Sequence, residues 1–203
     1  MDRKGLGRII LIRHGETEAN RLRCFADSDD IPLTETGRSQ SHALALRLSR
    51  EFRAQVLICS PFRRAQETGE IIGRVLGLTV ETLRGIQERD FGCLRGQPYE
   101  HLGARKSSAG HDPSWSPEGG ESLNDVRRRA IEAIESLRNR YPDQEIVVVC
   151  HGAVIQAICA HIAGEWIEGS VPSNCGFVTI GYEEQGWMQP VLSGDWDEIL
   201  PPA

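Results

Sequence analysis

Three short apolar runs constrain this chain more than any other feature: Arg8–Ile12 (RIILI), Val56–Cys59 (VLIC) and Glu145–Cys150 (EIVVVC). Each is continuous and rich in β-branched residues, so neither side of the strand it forms can face water. Strands of this kind need cover on both faces, and the sequence between them carries helical patterns that supply it. After Thr34 as an N-cap, Leu44, Leu48 and Phe52 recur once per helical turn. Ser122 and Asp125 form a capping box ahead of the stripe Leu123, Val126, Ala130, Ile134 and Leu137. Arg127, Arg128 and Arg129 fall mostly off that stripe and are expected on a solvated face. Val154, Ile158 and Ile162 mark a further helix directly after EIVVVC. The alternation predicts an α/β fold, a three-layer α/β/α sandwich with a mostly parallel central sheet. Gly176–Tyr182 and Met188–Leu192 are weaker strand candidates. In such sheets ligands bind outside the carboxyl ends of the strands.

No repeat, low-complexity tract or Gly/Ser linker divides the sequence, so residues 1–203 are expected to form one domain. A chain of this length buries enough surface to fold without disulfides or a structural metal. The stretch 100–120 breaks the pattern with small, polar, Pro and Gly residues, and is expected to be a lid or substrate segment. The six cysteines show no CxxC spacing, and Cys59 and Cys150 end buried strands, so free thiols in a reducing, cytoplasmic setting are expected. The short apolar N-terminal stretch runs straight into charged residues, unlike a secretory signal. A net charge of −6 gives no reason to expect nucleic-acid or membrane partners. It leaves room for a small anionic substrate, because a local cluster of arginines can outweigh the overall sign. A homo-oligomer is compatible with this composition.

Two histidines stand in matching contexts. His14 follows RIILI-Arg13 and precedes Gly15; His151 follows EIVVVC and precedes Gly152. Each therefore sits at the carboxyl end of an expected central strand, where the two can converge on one ligand. The string RHGETEAN (Arg13–Asn20) resembles the signature of the histidine phosphatase superfamily, which includes the cofactor-dependent phosphoglycerate mutases. Four further segments resemble that family in the same order: DIPLTETG (Asp30–Gly37), CSPFRRAQET (Cys59–Thr68), QERDFGCLRG (Gln87–Gly96) and VVCHGAVI (Val148–Ile155).

The resemblance implies phosphomonoester hydrolysis through a phosphohistidine on His14, with a small phosphorylated metabolite as substrate. It implies phosphate-binding roles for Arg13, Arg64 and His151, with Arg64 rather than Arg63 as the second arginine, and an acid at Glu88. Asn20, Thr17 and Gly152 are further candidates around the phosphate. The residue types suit that chemistry. A neutral imidazole nitrogen attacks phosphorus well, provided that the other ring nitrogen is held as a donor. Planar guanidinium groups match the non-bridging oxygens of a phosphoryl group, and a protonated His151 would add another donor. Fixed cations of this kind do the work of a metal in phosphoryl transfer, so neither a metal nor a cofactor is expected. Glu88 must arrive protonated to serve the leaving alcohol, after which it can deprotonate water.

Other mechanisms lack their parts. No cysteine stands at the spacing from an arginine that a cysteine-dependent phosphatase uses, and neither a P-loop GK[ST] nor a GxSxG elbow occurs. His14 and Glu16 imitate the HxE of zinc deaminases without the paired cysteines. Asp27-Ser-Asp29 resembles the DxD of aspartate phosphatases but follows no apolar strand. Two alternatives stay open: a phosphoglycerate mutase, and a non-catalytic phosphate-binding module. The mutases resemble this chain in the core but carry a longer insertion between acid and second histidine. DFGCLRG and PEGGES are closer to the phosphatases. Cys24-Phe25-Ala26 and Cys93-Leu94-Arg95 depart from the phosphatase pattern near the expected substrate pocket. Arg95, His101, Arg105, Lys106 and Trp115, in the segment after the acid, are candidate substrate-facing residues.

Overall fold

The continuous apolar strings do form buried strands. The computed structural model describes residues 6–102, 112–166, 171–183 and 186–192. Strands β1 (Gly7–Arg13), β2 (Val56–Cys59), β3 (Val80–Thr82) and β4 (Glu145–Cys150) run parallel in the order β3-β2-β4-β1. β5 (Phe177–Glu183) continues the sheet antiparallel to β1, followed by β6 (Gly186–Trp187), while β7 (Val191–Leu192) also pairs with β5. The sheet is thus mostly parallel at its centre, with an antiparallel margin.

Side chains of the central strands alternate between two cores. Ile10, Ile12, Leu57, Val147 and Val149 pack with Leu44 and Leu48 of α2 (Glu35–Glu51) and Ala65 and Ile72 of α3 (Arg63–Leu76). Ile9, Leu11, Ile58, Ile146 and Val148 pack with Val126, Ala130, Ile134 and Leu137 of α4 (Leu123–Arg140) and Val154 and Ile158 of α5 (Gly152–Ala163). Two buried faces explain the absence of polar alternation in RIILI and EIVVVC. The short helix α1 (Glu18–Arg21) lies outside these layers.

Local signals place the helix starts. Thr34 Oγ1 accepts from Gly37 N, and Ser122 with Asp125 closes the capping box in both directions. β3 was not anticipated, because VET has no apolar run and its edge position leaves two of its three residues exposed. Met188–Pro190 lies outside the strands, so the expected run Met188–Leu192 shrinks to its last two residues. Arg105 and Lys106, with the rest of 103–111, lie outside the described residues.

The sheet register sets the site. Arg13 pairs with Cys150, and Cys59 with Val149, so β1, β2 and β4 end at one edge. Gly15 and Gly37 then let two backbones touch. A Cβ on Gly15 would lie 2.5 Å from the Gly37 carbonyl oxygen, and one on Gly37 would lie 2.2 Å from that of Glu16. No larger residue fits either position without moving the first turn of α2 off the segment that follows His14.

Candidate active site

His14 and His151 are the residues immediately after register partners Arg13 and Cys150, and His14 N donates to the Cys150 carbonyl at 3.1 Å. Their rings stand edge to face with centroids 5.2 Å apart. His14 Nδ1 lies 2.7 Å from the Gly15 carbonyl oxygen. A carbonyl only accepts, so Nδ1 carries the proton and Nε2 keeps its lone pair. Burial, then the nearby Arg64 and Arg13 charges, hold the His14 pKa well below the usual histidine value. The imidazole is therefore neutral at neutral pH, as a nucleophile must be.

Arg64 enters from the first turn of α3, almost fully buried, and its Nε points at His14 Nε2 at 3.2 Å. Arg13 anchors one end of its guanidinium on the Pro172 carbonyl through Nη1 at 2.9 Å. His151 is also kept neutral, by burial first and then by Arg64, His14, Arg129 and Arg13. The protonated form that would add a further donor is thereby disfavoured. A neutral His151 still donates. Its Nε2 lies 2.8 Å from Ser60 Oγ, ring and hydroxyl sharing one hydrogen bond, and Nδ1 is left without a partner.

Three buried nitrogens beside His14 are left without partners: Arg13 Nε, Arg64 Nη1 and His151 Nδ1. Unsatisfied buried polar groups are rare and call for an explanation. A tetrahedral oxyanion over His14 Nε2 would supply the acceptors that the two guanidinium groups lack. The N-terminus of α5, directly after His151, adds the positive end of its dipole. Glu88 stands on the other side of Gly152. Its Oε1 accepts from Arg89 N at 2.9 Å and Ala153 N at 3.2 Å, while Oε2 lies 4.0 Å from where a Gly152 Cβ would be. A Cβ there would also come within 2.8 Å of Val171 Cγ1, so glycine keeps the approach open.

A cavity of about 320 Å³ opens over His14, lined by the polar residues Arg13, Asn20, Arg64 and Glu88 with Gly152, and by the apolar or aromatic Phe25, Phe91, Tyr99, Leu102 and Val171. Phe25 packs against the tilted ring of Phe91 and, edge to face, against Tyr99, at centroid distances of 4.2 and 4.9 Å. The departure Cys24-Phe25-Ala26 thus shapes the pocket wall. Asn20 lines the pocket, but its side chain is engaged with Thr17, Tyr99 and Asn174. Thr17 caps α1 and closes a box with Asn20. Arg95 pairs with Asp90 and borders a smaller neighbouring cavity, whereas His101 and Trp115 are absent from the lining of the main one. The Trp115 carbonyl instead receives Arg89 Nη2.

Sequence reasoning overlooked several contributors. Thr68 Oγ1 accepts from Gly15 N and donates to the Arg64 carbonyl, tying nucleophile to arginine. Asn174 Nδ2 donates to the His14 carbonyl. Arg129 leaves the solvated face expected of it and binds the acid-bearing loop, while Arg127 stacks on Trp166 and only Arg128 is exposed. Among the described residues, no group of three His, Cys, Asp or Glu side chains is arranged to hold a metal ion, and no helix is long and apolar enough to cross a membrane.

The two buried histidines tie stability to pH. Their folded pKa values lie below the unfolded value, so between the two the unfolded chain binds more protons. Stability is then full above about pH 6.5 and falls as pH drops through that value. The slope reaches about 1.4 kcal/mol per pH unit for each histidine. Urea midpoints at pH 7.5 and 5.5 should show the loss, and His151→Asn should lower the slope; equal slopes in variant and parent would contradict the buried neutral state.

Residues 9–192 match the histidine phosphatase superfamily (branch 1). The chain is 34% identical over 157 residues to phosphoglycerate mutase-like protein 4 of Arabidopsis thaliana, covering 74% of this chain and 68% of that one. It is 30% identical over 188 residues to the metal-independent phosphoserine phosphatase of the same plant, covering 89% and 78%. In structure it is similar to an Entamoeba histolytica phosphoserine phosphatase variant solved with phosphoserine, with a TM-score of 0.79, 25% identity, and 96% and 100% of the two chains covered. The match over most of the chain, on a fold whose strand ends bring His14 and His151 together, shows that this protein belongs to the histidine phosphatase superfamily.

Proposed function

We propose that the protein hydrolyses small phosphomonoesters by way of a phosphohistidine on His14. The observation that carries this reading is the set of unpartnered buried nitrogens, Arg13 Nε, Arg64 Nη1 and His151 Nδ1, around a nucleophile already in its reactive tautomer. His14 Nε2 attacks phosphorus, the P–O bond to the alcohol breaks, and the leaving oxygen takes a proton from Glu88. Water then attacks the phosphohistidine, Glu88 recovers a proton from it, and the P–N bond breaks to release phosphate and restore His14. Arg13 and Arg64 stabilise the equatorial oxygens in both steps, joined by His151 in the tautomer that carries its proton on Nδ1. The alcohol portion of the ester lies against Phe25, Phe91, Tyr99 and Val171, in a space that suits a metabolite rather than a macromolecule.

The test is a panel of phosphomonoesters assayed in EDTA, beside a mutase assay with 3-phosphoglycerate and catalytic 2,3-bisphosphoglycerate. Release of free phosphate, undiminished by the chelator, is expected. Isomerisation without phosphate release would make the protein a mutase, loss of activity on chelation would require a metal, and silence in both assays would leave a binding module.

A further inference from the structure

We infer that Arg129, on helix α4, is the positioning residue for the acid, holding the loop that carries Glu88 by its main chain. This rests on the assignment of Glu88 as the acid. Residues 83–91 form no helix or strand, so no regular ladder fixes the acid's backbone. Arg129 supplies what the ladder would. Its Nη1 donates to the carbonyls of Gly85 at 2.8 Å and Gln87 at 2.7 Å, and its Nη2 reaches that of Glu88 itself at 3.2 Å. The remaining N–H groups form a fork on Glu121, Nε to Oε1 at 2.9 Å and Nη2 to Oε2 at 2.8 Å. All five guanidinium N–H groups are thereby used.

Glu121 extends the clamp to the other side of the acid. Its Oε2 accepts from Asp90 N, its own N–H donates to the Asp90 carbonyl, and its carbonyl accepts from Arg89 Nε. The main chain on both sides of Glu88 is therefore tied to one ion pair at the start of α4. The Glu88 side chain is held independently, by Ala153 N at the start of α5. Gly85, with φ at +97°, brings the loop against α4, where a Cβ would lie 3.1 Å from the Arg129 carbonyl oxygen.

Lysine cannot replace this. An ammonium has three donors and no planar fork, so it can hold Glu121 or the carbonyls but not both sets at these angles. A half-buried ion pair is a weak source of net stability. What Arg129 contributes is the placement of the acid, and a misplacement of about 1 Å can cost on the order of a hundredfold in rate.

The test compares kcat/KM for an alkyl phosphate, whose leaving group needs the proton, with that for p-nitrophenyl phosphate, whose leaving group does not. In Arg129→Lys and Arg129→Ala the alkyl-to-aryl ratio is expected to fall by about 30-fold or more. Glu88→Gln should lower the same ratio further, and adding Arg129→Lys to Glu88→Gln should lower it by less than about threefold, since the two act through one proton. Equal losses on both esters, or additive losses in the double variant, would overturn the inference and leave Arg129 a structural residue. If Arg129→Ala does not fold, Arg129→Lys and Glu121→Gln decide by the same ratio. An unchanged ratio in Glu88→Gln would instead refute the acid, and with it this role, whereas a normal Glu88→Gln effect beside an unchanged Arg129→Lys ratio refutes Arg129 alone.

Discussion

Replacing His14 by alanine is expected to abolish turnover, with a loss of more than about 10⁴-fold in kcat on any phosphomonoester. No other described side chain offers an unprotonated nitrogen where Arg64 Nε points. The fold should survive, because the strand is secured by Ile9–Ile12, none of which touches water, and not by the residue after it. The unpartnered guanidinium nitrogens of Arg13 and Arg64 also remain, so the variant should still bind a phosphomonoester that it cannot cleave. Rapid alkaline quench of the parent enzyme during turnover should yield an acid-labile phosphoryl adduct on the peptide containing His14, absent from the variant. Rates like those of the parent in His14→Ala would end the mechanism outright. Loss of both turnover and ligand binding, with a lowered Tm, would mean that the imidazole was holding the site together.

The central strands were legible because burial on both faces writes itself into a sequence as an unbroken apolar run, and the histidines because they follow such runs directly. The register that pairs Arg13 with Cys150 turns two separate strand ends into one site. What was not legible depends on contacts between segments distant in the chain. Arg129 lies off the apolar stripe of α4, and periodicity assigns such a residue to solvent; nothing local reveals that an irregular loop comes to meet it. Asn174 and Thr68 carry no pattern of their own, since a small polar side chain bonded to a backbone group looks the same in sequence as one bonded to water. The protonation state of His151 was not legible for a related reason. The charge of a histidine is set by burial and by neighbouring arginines, and both are three-dimensional. In sequence Phe25 is only a departure from a pattern, and its packing against Phe91 and Tyr99 emerges from the fold.

Arg64 tests the electrostatic half of the mechanism. Arg64→Ala is expected to lower kcat/KM by about 10²–10³-fold, the usual cost of removing one donor aimed at developing charge. Arg64→Lys should restore little, because a single ammonium cannot hold Nε on His14 and present Nη1 to a phosphoryl oxygen at once. The variant also makes a prediction that loss of binding alone does not. Arg64 is, after burial, the largest influence lowering the pKa of both His14 and His151. Removing its charge makes protonation of either ring less unfavourable, so both values should rise toward that of a free imidazole. In the neutral range the parent should show no loss of kcat/KM from protonation of the nucleophile, whereas the Arg64→Ala profile should develop an acid limb displaced to higher pH. A uniform decrease at all pH values would show that Arg64 contributes contacts to the phosphoryl oxygens without tuning the histidines. A displaced limb with little change at its plateau would show the reverse, that the guanidinium serves mainly to keep His14 unprotonated.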